Sequence, residues 1–204
     1  MITLYNLENS RSQRISWLLE ELGVDYQIKE FKRDPNTRLA PAELRQIHPL
    51  GKAPVIDDSG VIVAESGAIM QYLLYRYGGG RLEPDADSPD YAKFLQWLHY
   101  AEGSAMVAFG MKFLGETGGS NELVSTFTQS QFDLHTDYIE NSLNGKKWLL
   151  GDDLTAADMM MSYPLQYVLT MVEKGKFPNI ERVVAQIQNH PSYQKACERA
   201  GAVH

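Results

Sequence analysis

Two short stretches, residues 49–56 and 64–69, constrain the fold of this chain most strongly. Pro54 has no backbone N–H to give to a ladder, so it can begin a strand but cannot continue one. The β-branched residues that follow it predict this strand, and residues 57–60 (DDSG) are typical of a hairpin turn. Residues 61–63 then predict the returning strand.

A ligand site is predicted beside these stretches. Ser66 is a natural N-cap for a helix over residues 67–77, and the start of that helix offers N–H donors that suit a carboxylate. Lys52 adds a second cationic anchor. Because Pro54 starts the strand, we expect the backbone of Val55 to be free on one side and able to hold an extended peptide. Taken singly, Ser66 is an ordinary cap and Lys52 an ordinary solvated side chain. Taken together, they outline a slot for a short peptide between two carboxylate receptors.

The earlier residues predict alternating strands and helices. Residues 2–5 predict a buried strand, and residues 26–31 predict a second strand parallel to it through a right-handed crossover. Between them, residues 10–13 (SRSQ) fit a capping box, and Gly23 ends the helix that follows. The apolar face of that helix consists of Ile15, Leu18, Leu19 and Leu22. A short helix is expected over residues 41–47. The order β-α-β-α-β-β-α is that of a thioredoxin-like half.

Three consecutive glycines, residues 78–80, are the strongest break in the chain. We therefore expect a first domain over residues 1–78, a linker over residues 79–88 and an all-helical domain over residues 89–204. No alternating strand pattern returns beyond the linker.

Caps and prolines mark helices in the second half. Thr155 followed three residues later by Asp158 predicts a helix start with a structural role. Pro164 lies inside that helix and is expected to kink it. Pro178 and Pro191 each predict the first turn of a further helix.

Charge and composition narrow the classes of function. The net charge of -7 repels phosphate backbones and argues against nucleic acid as a partner. No apolar run reaches about 18 residues, so no membrane span is expected. The single Cys, Cys197, excludes an internal disulfide, and the first 20 residues lack an apolar signal core, which favours the cytoplasm. The 5 histidines show no ligand spacing, so no metal is expected.

The sequence resembles a soluble glutathione S-transferase of the bacterial serine type over nearly its whole length. The resemblance rests on the stretch around Pro54, on Glu65 and Ser66, and on the helix start at residues 154–158. It implies a thioredoxin-like α/β domain followed by an all-α helical bundle domain, a cis bond before Pro54, and a homodimer. It also implies glutathione as co-substrate, with the γ-glutamyl carboxylate held at Glu65 and Ser66. The expected glutathione contacts are Asn9, Lys52, Val55, Glu65 and Ser66.

The thiol chemistry is expected in the loop after the first strand. That loop has no Cys, which excludes disulfide exchange through an enzyme thiol there. The resemblance implies instead that the hydroxyl of Ser10 holds the glutathione sulfur as a thiolate. An alternative stays open in which Ser10 only caps the helix and the sulfur contacts Asn9, Ser12 or Tyr5.

The second substrate is expected to be a small hydrophobic electrophile. The residues expected to line its pocket are Leu7, Tyr100, Met106, Phe109, Phe113 and Tyr163. Two other functions use the same features: glutathione-dependent reduction of peroxides or disulfides, and a non-catalytic module that binds hydrophobic ligands or a protein. The isomerase branch of the family is disfavoured because its Ser-Ser-Cys signature is absent around Ser10.

Overall fold

The computed structural model describes residues 1–119 and 121–202. The strands are β1 (Ile2–Leu7), β2 (Tyr26–Phe31), β3 (Val55–Asp58) and β4 (Val61–Ala64). The helices are α1 (Ser12–Leu22), α2 (Leu44–Ile47), α3 (Ser66–Leu73), α4 (Pro89–Tyr100), α5 (Met106–Thr117), α6 (Glu122–Ser142), α7 (Ala156–Leu169), α8 (Pro178–Gln188) and α9 (Pro191–Ala200). The described residues form two compact units: Met1–Pro84 with residues 187–202, and Asp85–Gln186. The predicted combination of a thioredoxin-like half and an all-helical half is confirmed.

The first unit is built on one four-stranded sheet with the order β2-β1-β3-β4. β1 runs parallel to β2 and antiparallel to β3, and the β3–β4 pair is the predicted hairpin. Ile2, Leu4 and Ile56 are buried in the core of this unit. A parallel pair needs a crossover connection, which α1 provides. The predicted strands and their directions are therefore confirmed.

Helix α1 buries the predicted apolar face, and Gly23 ends it in the left-handed region with φ 69°. The predicted capping box at residues 10–13 is wrong. Arg11 already has helical backbone angles and occupies the N-cap position, so the helix begins at Ser12. The Gln13 amide instead donates to Sγ of Cys197 at 3.5 Å, which links α1 to α9.

Helix α9 packs against α1 in the first unit. Trp17 Nε1 donates to Oγ of Ser192 at 2.9 Å, and the rings of Trp17 and Tyr193 meet edge to face. The compact units therefore do not coincide with the predicted segments, because helical periodicity alone assigns every residue after the linker to the helical domain. The predicted first-turn positions of Pro178 and Pro191 are confirmed.

The second unit is helical, as its periodicity predicts. Thr155 and Asp158 form the predicted capping box at the start of α7, and Pro164 lies within that helix. The Asp158 carboxylate also accepts from the N–H of Leu149 at 2.8 Å. Burial raises the pKa of Asp158 from its ordinary value of 3.8 to about 6. The pair therefore has the expected structural role.

The helix predicted over residues 67–77 begins at Ser66 and changes character near its end. α3 continues into one π-helical turn, Leu74–Gly78. Gly79 follows with φ 58° and stops the helix in the left-handed region. Within residues 1–119 and 121–202, no helix combines the length and apolar character needed to cross a membrane.

Candidate functional site

The strand register brings four loops to one end of the sheet. Val55, at the start of β3, is opposite Tyr5 on one side and Ala64 on the other. Leu7, at the end of β1, is opposite Phe31. The segments that lie beyond these residues follow the strand order: residues 32–33, 8–10, 53–54 and 65–66. Neighbouring strands are about 4.8 Å apart, so the loop after β1 and the loop after β4 are roughly 10 Å apart.

Ser10 lies in the loop between β1 and α1 and is 7% exposed. Its Oγ accepts from the N–H of Ser12 at 3.2 Å and donates to Oγ of Ser12 at 3.0 Å. The N–H bond fixes the oxygen at the positive end of α1, while the hydroxyl proton can rotate to another acceptor. Ser10 is therefore a held hydroxyl whose hydrogen-bond donor can be redirected.

The two other candidates near Ser10 are placed differently. Asn9 is next to it and adopts φ 46°, a conformation that non-glycine residues rarely take. Tyr5 lies within β1, with its ring 6.4 Å from the ring of Phe31 and 5.9 Å from Nζ of Lys29. Asn9 thus shares the loop with Ser10, whereas Tyr5 packs over β2.

The bond between Ala53 and Pro54 is cis, as the family resemblance implies. Val55 is 1% exposed and has β1 on one side and β4 on the other. The reason for expecting a peptide to pair with Val55 is therefore wrong, because neither side is open. Ala53 is half-buried and lies before the first ladder pair, which makes its backbone the available one. The sequence alone did not reveal this shift, since it depends on where both neighbouring strands end.

The loop before Ala53 requires a glycine. Gly51 is buried with φ 58°, and a Cβ there would lie 2.7 Å from Cγ of Arg45. A side chain at this position would be strained by the backbone angle as well as by the contact. Lys52 follows directly and is exposed. The glycine thus sets the turn that presents Lys52 and Ala53 at the end of the sheet.

The start of α3 differs from the prediction by one residue. Glu65, not Ser66, occupies the N-cap position, with φ 70° and ψ 120°. Ser66 is the first helical residue and is buried. The first N–H groups of a helix have no partner within it, so Ser66 and Gly67 direct donors out of the helix start. Glu65 and Asn9 are both non-glycine residues at positive φ, and such conformations cluster at functional sites.

The predicted electrophile residues fall in both compact units. Leu7 is buried in the first. In the second, Phe109 is 0% exposed and packs against Phe132, so its inclusion in a pocket is wrong. Phe113 is 47% exposed, whereas Tyr100, Met106 and Tyr163 are half-buried. The hydroxyl oxygen of Tyr100 forms a hydrogen bond with Nδ1 of His135 at 2.6 Å, and burial raises the pKa of this hydroxyl.

Within residues 1–119 and 121–202, no group of three or more His, Cys, Asp or Glu side chains could hold a metal ion.

Comparisons with known proteins agree with this geometry. Residues 1–75 match the family model for the N-terminal domain of glutathione S-transferases, and residues 109–196 match a model for the C-terminal domain. Glutathione S-transferase 3 of Schizosaccharomyces pombe is 30% identical over 98% of this chain and 88% of its own. Glutathione S-transferase 1 of Saccharomyces cerevisiae is 29% identical over 100% of this chain and 97% of its own. A crystal structure of a glutathione S-transferase from Actinobacillus pleuropneumoniae is 40% identical, covers 100% of this chain and 94% of that one, and has a TM-score of 0.94. The chain belongs to the glutathione S-transferase family.

Proposed function

We propose that this protein is a serine-type glutathione transferase that conjugates glutathione to small hydrophobic electrophiles. The observation that carries the proposal is the order of groups across the end of the sheet. A held hydroxyl at Ser10 comes first, then the open backbone of Ala53, then the donor-rich helix start at Ser66. Glutathione matches this order when its cysteinyl thiol points to Ser10, its cysteinyl backbone lies at Ala53 and its γ-glutamyl carboxylate lies at the start of α3.

Each part of glutathione has a partner in this arrangement. The γ-glutamyl carboxylate accepts hydrogen bonds from the hydroxyl of Ser66 and from the N–H groups of Ser66 and Gly67, where the dipole of α3 favours negative charge. The carboxylate of Glu65 pairs with the ammonium group of the same γ-glutamyl residue. The cysteinyl backbone pairs with Ala53 as an added strand. Lys52 provides the cation for the glycyl carboxylate, and Asn9 lies beside the thiol.

The thiolate can be stabilised without a general base. Lowering a thiol pKa from about 8.5 to below 7 requires roughly 2 kcal/mol. A hydrogen bond to a charged group contributes about 1.5 to 3 kcal/mol, and a helix N-terminus adds up to about 1 kcal/mol. The Ser10 hydroxyl turns its proton from Ser12 to the sulfur, while the N–H of Ser12 keeps the oxygen in place. The thiol proton leaves to solvent, and the sulfur forms a bond to the electrophilic carbon as the leaving group departs.

Phe109 is no longer proposed as a contact of the electrophile, because its side chain is fully buried. Tyr100, Met106, Phe113 and Tyr163 keep exposed surface and remain the proposed contacts in the second unit.

We also propose a homodimer in the cytoplasm. The edge strand β4 exposes Val61 and Ile62, and Tyr75 after α3 is 87% exposed. Apolar surface of this kind is typical of a protein interface. Ile62→Glu should shift the sedimentation coefficient to that of a monomer, whereas Leu39→Glu, in the loop after β2, should not. Equal behaviour of the two variants would argue against this face.

The proposed location in the cytoplasm is tested by cell fractionation.

A Ser10→Ala variant tests the chemistry. It should lower kcat/KM for an aryl halide by about tenfold or more, equivalent to about 1.4 kcal/mol, with glutathione affinity almost unchanged. Ser130→Ala, an exposed serine of α6, is the matched control. Unchanged activity in Ser10→Ala would refute the role of this hydroxyl.

Turnover of the wild-type protein on a hydroperoxide but not on the halide would favour the reductase alternative. Retention on immobilised glutathione without turnover on either would favour the non-catalytic one.

A further inference from the structure

We propose that Arg33 is a positioning residue that holds the loop carrying Asn9 and Ser10 in its active conformation. This inference rests on the proposed function and adds a residue that contacts neither substrate. Arg33 lies two residues beyond the end of β2, at the end of the sheet where the site is located.

The guanidinium of Arg33 joins two loops through their backbone carbonyls. Nε donates to the carbonyl of Glu8 at 3.2 Å, and Nη2 donates to the carbonyl of Asn9 at 3.1 Å. Nη1 donates to the carbonyl of Arg38 at 3.0 Å. The backbone N–H of Arg33 also donates to Oε1 of Glu8 at 2.8 Å. One side chain therefore ties the loop after β1 to the loop after β2.

Two of the three carbonyls belong to residues with unusual backbone angles. Asn9 has φ 46° and Arg38 has φ 60°, and neither is a glycine. A non-glycine residue in this region is strained, and it persists there only when neighbouring contacts offset the strain. The Asn9 carbonyl immediately precedes the amide of Ser10. A change in the backbone of Asn9 would therefore reorient Ser10 and its hydroxyl.

Lysine cannot replace this function of Arg33. The guanidinium presents donors in a rigid plane and can reach three carbonyls at once, whereas an ammonium group is a compact point charge on a flexible stem. Arg33→Lys keeps the charge but loses the fork. This difference separates loop positioning from a simple electrostatic effect on the thiolate.

The experiment compares Arg33→Met and Arg33→Lys with wild type. Lys32→Met is the control, because Lys32 is an exposed cation that immediately precedes Arg33 in the chain. The first readout is hydrogen exchange of residues 7–13 in the full protein without ligand. Both Arg33 variants should exchange faster there, and the control should not. This readout does not depend on catalysis, so it remains informative if the proposed transferase activity is absent.

The second readout is the pH profile of kcat/KM for the electrophile, measured at saturating glutathione. Both Arg33 variants should raise the apparent pKa of the bound glutathione thiol by about 0.5 to 1, which lowers kcat/KM about three- to tenfold on the acidic side. Affinity for S-methylglutathione, which has no thiol, should change less than twofold. Wild-type exchange or a wild-type pH profile in Arg33→Met overturns the inference. So does restoration of the wild-type profile by Arg33→Lys, or an equal shift in Lys32→Met.

Discussion

Asn6 donates from Nδ2 to the backbone carbonyl of Ala200 at 3.0 Å, and both residues are buried. This hydrogen bond connects the central strand β1 to the end of α9 across 194 positions of sequence. It lies on the strand that leads into the loop of Ser10. The end of α9 is thus attached to the element that supports the proposed catalytic hydroxyl.

Replacing Asn6 should destabilise the first unit. Asn6→Ala leaves the Ala200 carbonyl buried without this donor, which costs about 1 to 3 kcal/mol of unfolding free energy. Urea unfolding followed by tryptophan fluorescence measures the loss, because Trp17 is wholly buried in the same unit. Asn144→Ala, at an exposed turn, is the control and should change stability by less than about 0.5 kcal/mol. A variant at position 6 as stable as wild type would show that the bond contributes nothing.

The carboxylate contacts should affect glutathione binding rather than the chemical step. Ser66→Ala and Lys52→Met should each raise the KM for glutathione several-fold with kcat almost unchanged, because they remove contacts that are present before and during reaction. The effect of Lys52→Met should shrink at high salt, since Lys52 is exposed and its charge is screened. Lys93→Met, on the surface of α4, is the charge control. A fall in kcat with normal KM would contradict this assignment.

Gly51 offers a test of the loop before Ala53. Gly51→Ala should cost about 1 to 2 kcal/mol from the backbone angle alone, with a further cost from the contact with Arg45. Gly60→Ala is a matched control, because Gly60 has φ 96° but no heavy atom within 4 Å of the added Cβ. Thermal unfolding should show the larger loss at position 51, and isothermal titration should show weaker glutathione binding there only. Equal losses at both positions would mean that Arg45 moves aside freely.

Asp158 should make stability depend on pH. Its pKa is raised from 3.8 to about 6 by burial, so the folded state holds a proton that the unfolded state releases between these values. The stabilisation contributed by Asp158 is therefore complete below about pH 4 and is lost as the pH rises through about 6, with a change in this contribution of roughly 3 kcal/mol. Asp158→Asn should flatten this part of the stability profile. Chemical unfolding at several pH values measures it, and an Asp158→Asn profile with the same pH dependence as wild type would refute this role of the Asp158 proton.

Asp158→Ala should be more severe than the asparagine variant at every pH. It removes both acceptor oxygens, which leaves the N–H groups of Leu149 and Thr155 without this partner inside the protein. Losing such buried bonds costs about 1 to 3 kcal/mol for each donor. Asp133→Ala, on α6, is the carboxylate control. A loss in Asp158→Ala no larger than that in the control would remove the structural role given to the capping box.

The parts of the site that were predictable are those that depend on local chemistry. A proline without an N–H, a turn-forming DDSG and a hydroxyl near a helix start each restrict only a few neighbouring residues, and the structure contains the hairpin and both helix starts. The errors at these places are one residue long. Glu65 replaces Ser66 as the cap because Glu65 takes φ 70°, an angle that cannot be foreseen from a glutamate.

Long-range features were not predictable in the same way. The open backbone belongs to Ala53 and not Val55, because the ladders to β1 and β4 both include Val55. Phe109 was expected in a pocket, but it is buried against Phe132 of another helix. Arg33 carries no motif, and only the fold brings its guanidinium to three carbonyls.

The sequence by itself determined the two halves of the fold, the family, and the residue types that suit glutathione, since periodicity, caps and turns act over a few residues. The tertiary structure decided which of those residues share one end of the sheet, because strand register brings them to that end and strand order sets the sequence Ser10, Ala53, Ser66 across it. It also decided that α9 packs with the first unit, through contacts such as that of Asn6 with Ala200. Partners so far apart in sequence leave no local pattern, and their pairing emerges only when the whole core is packed.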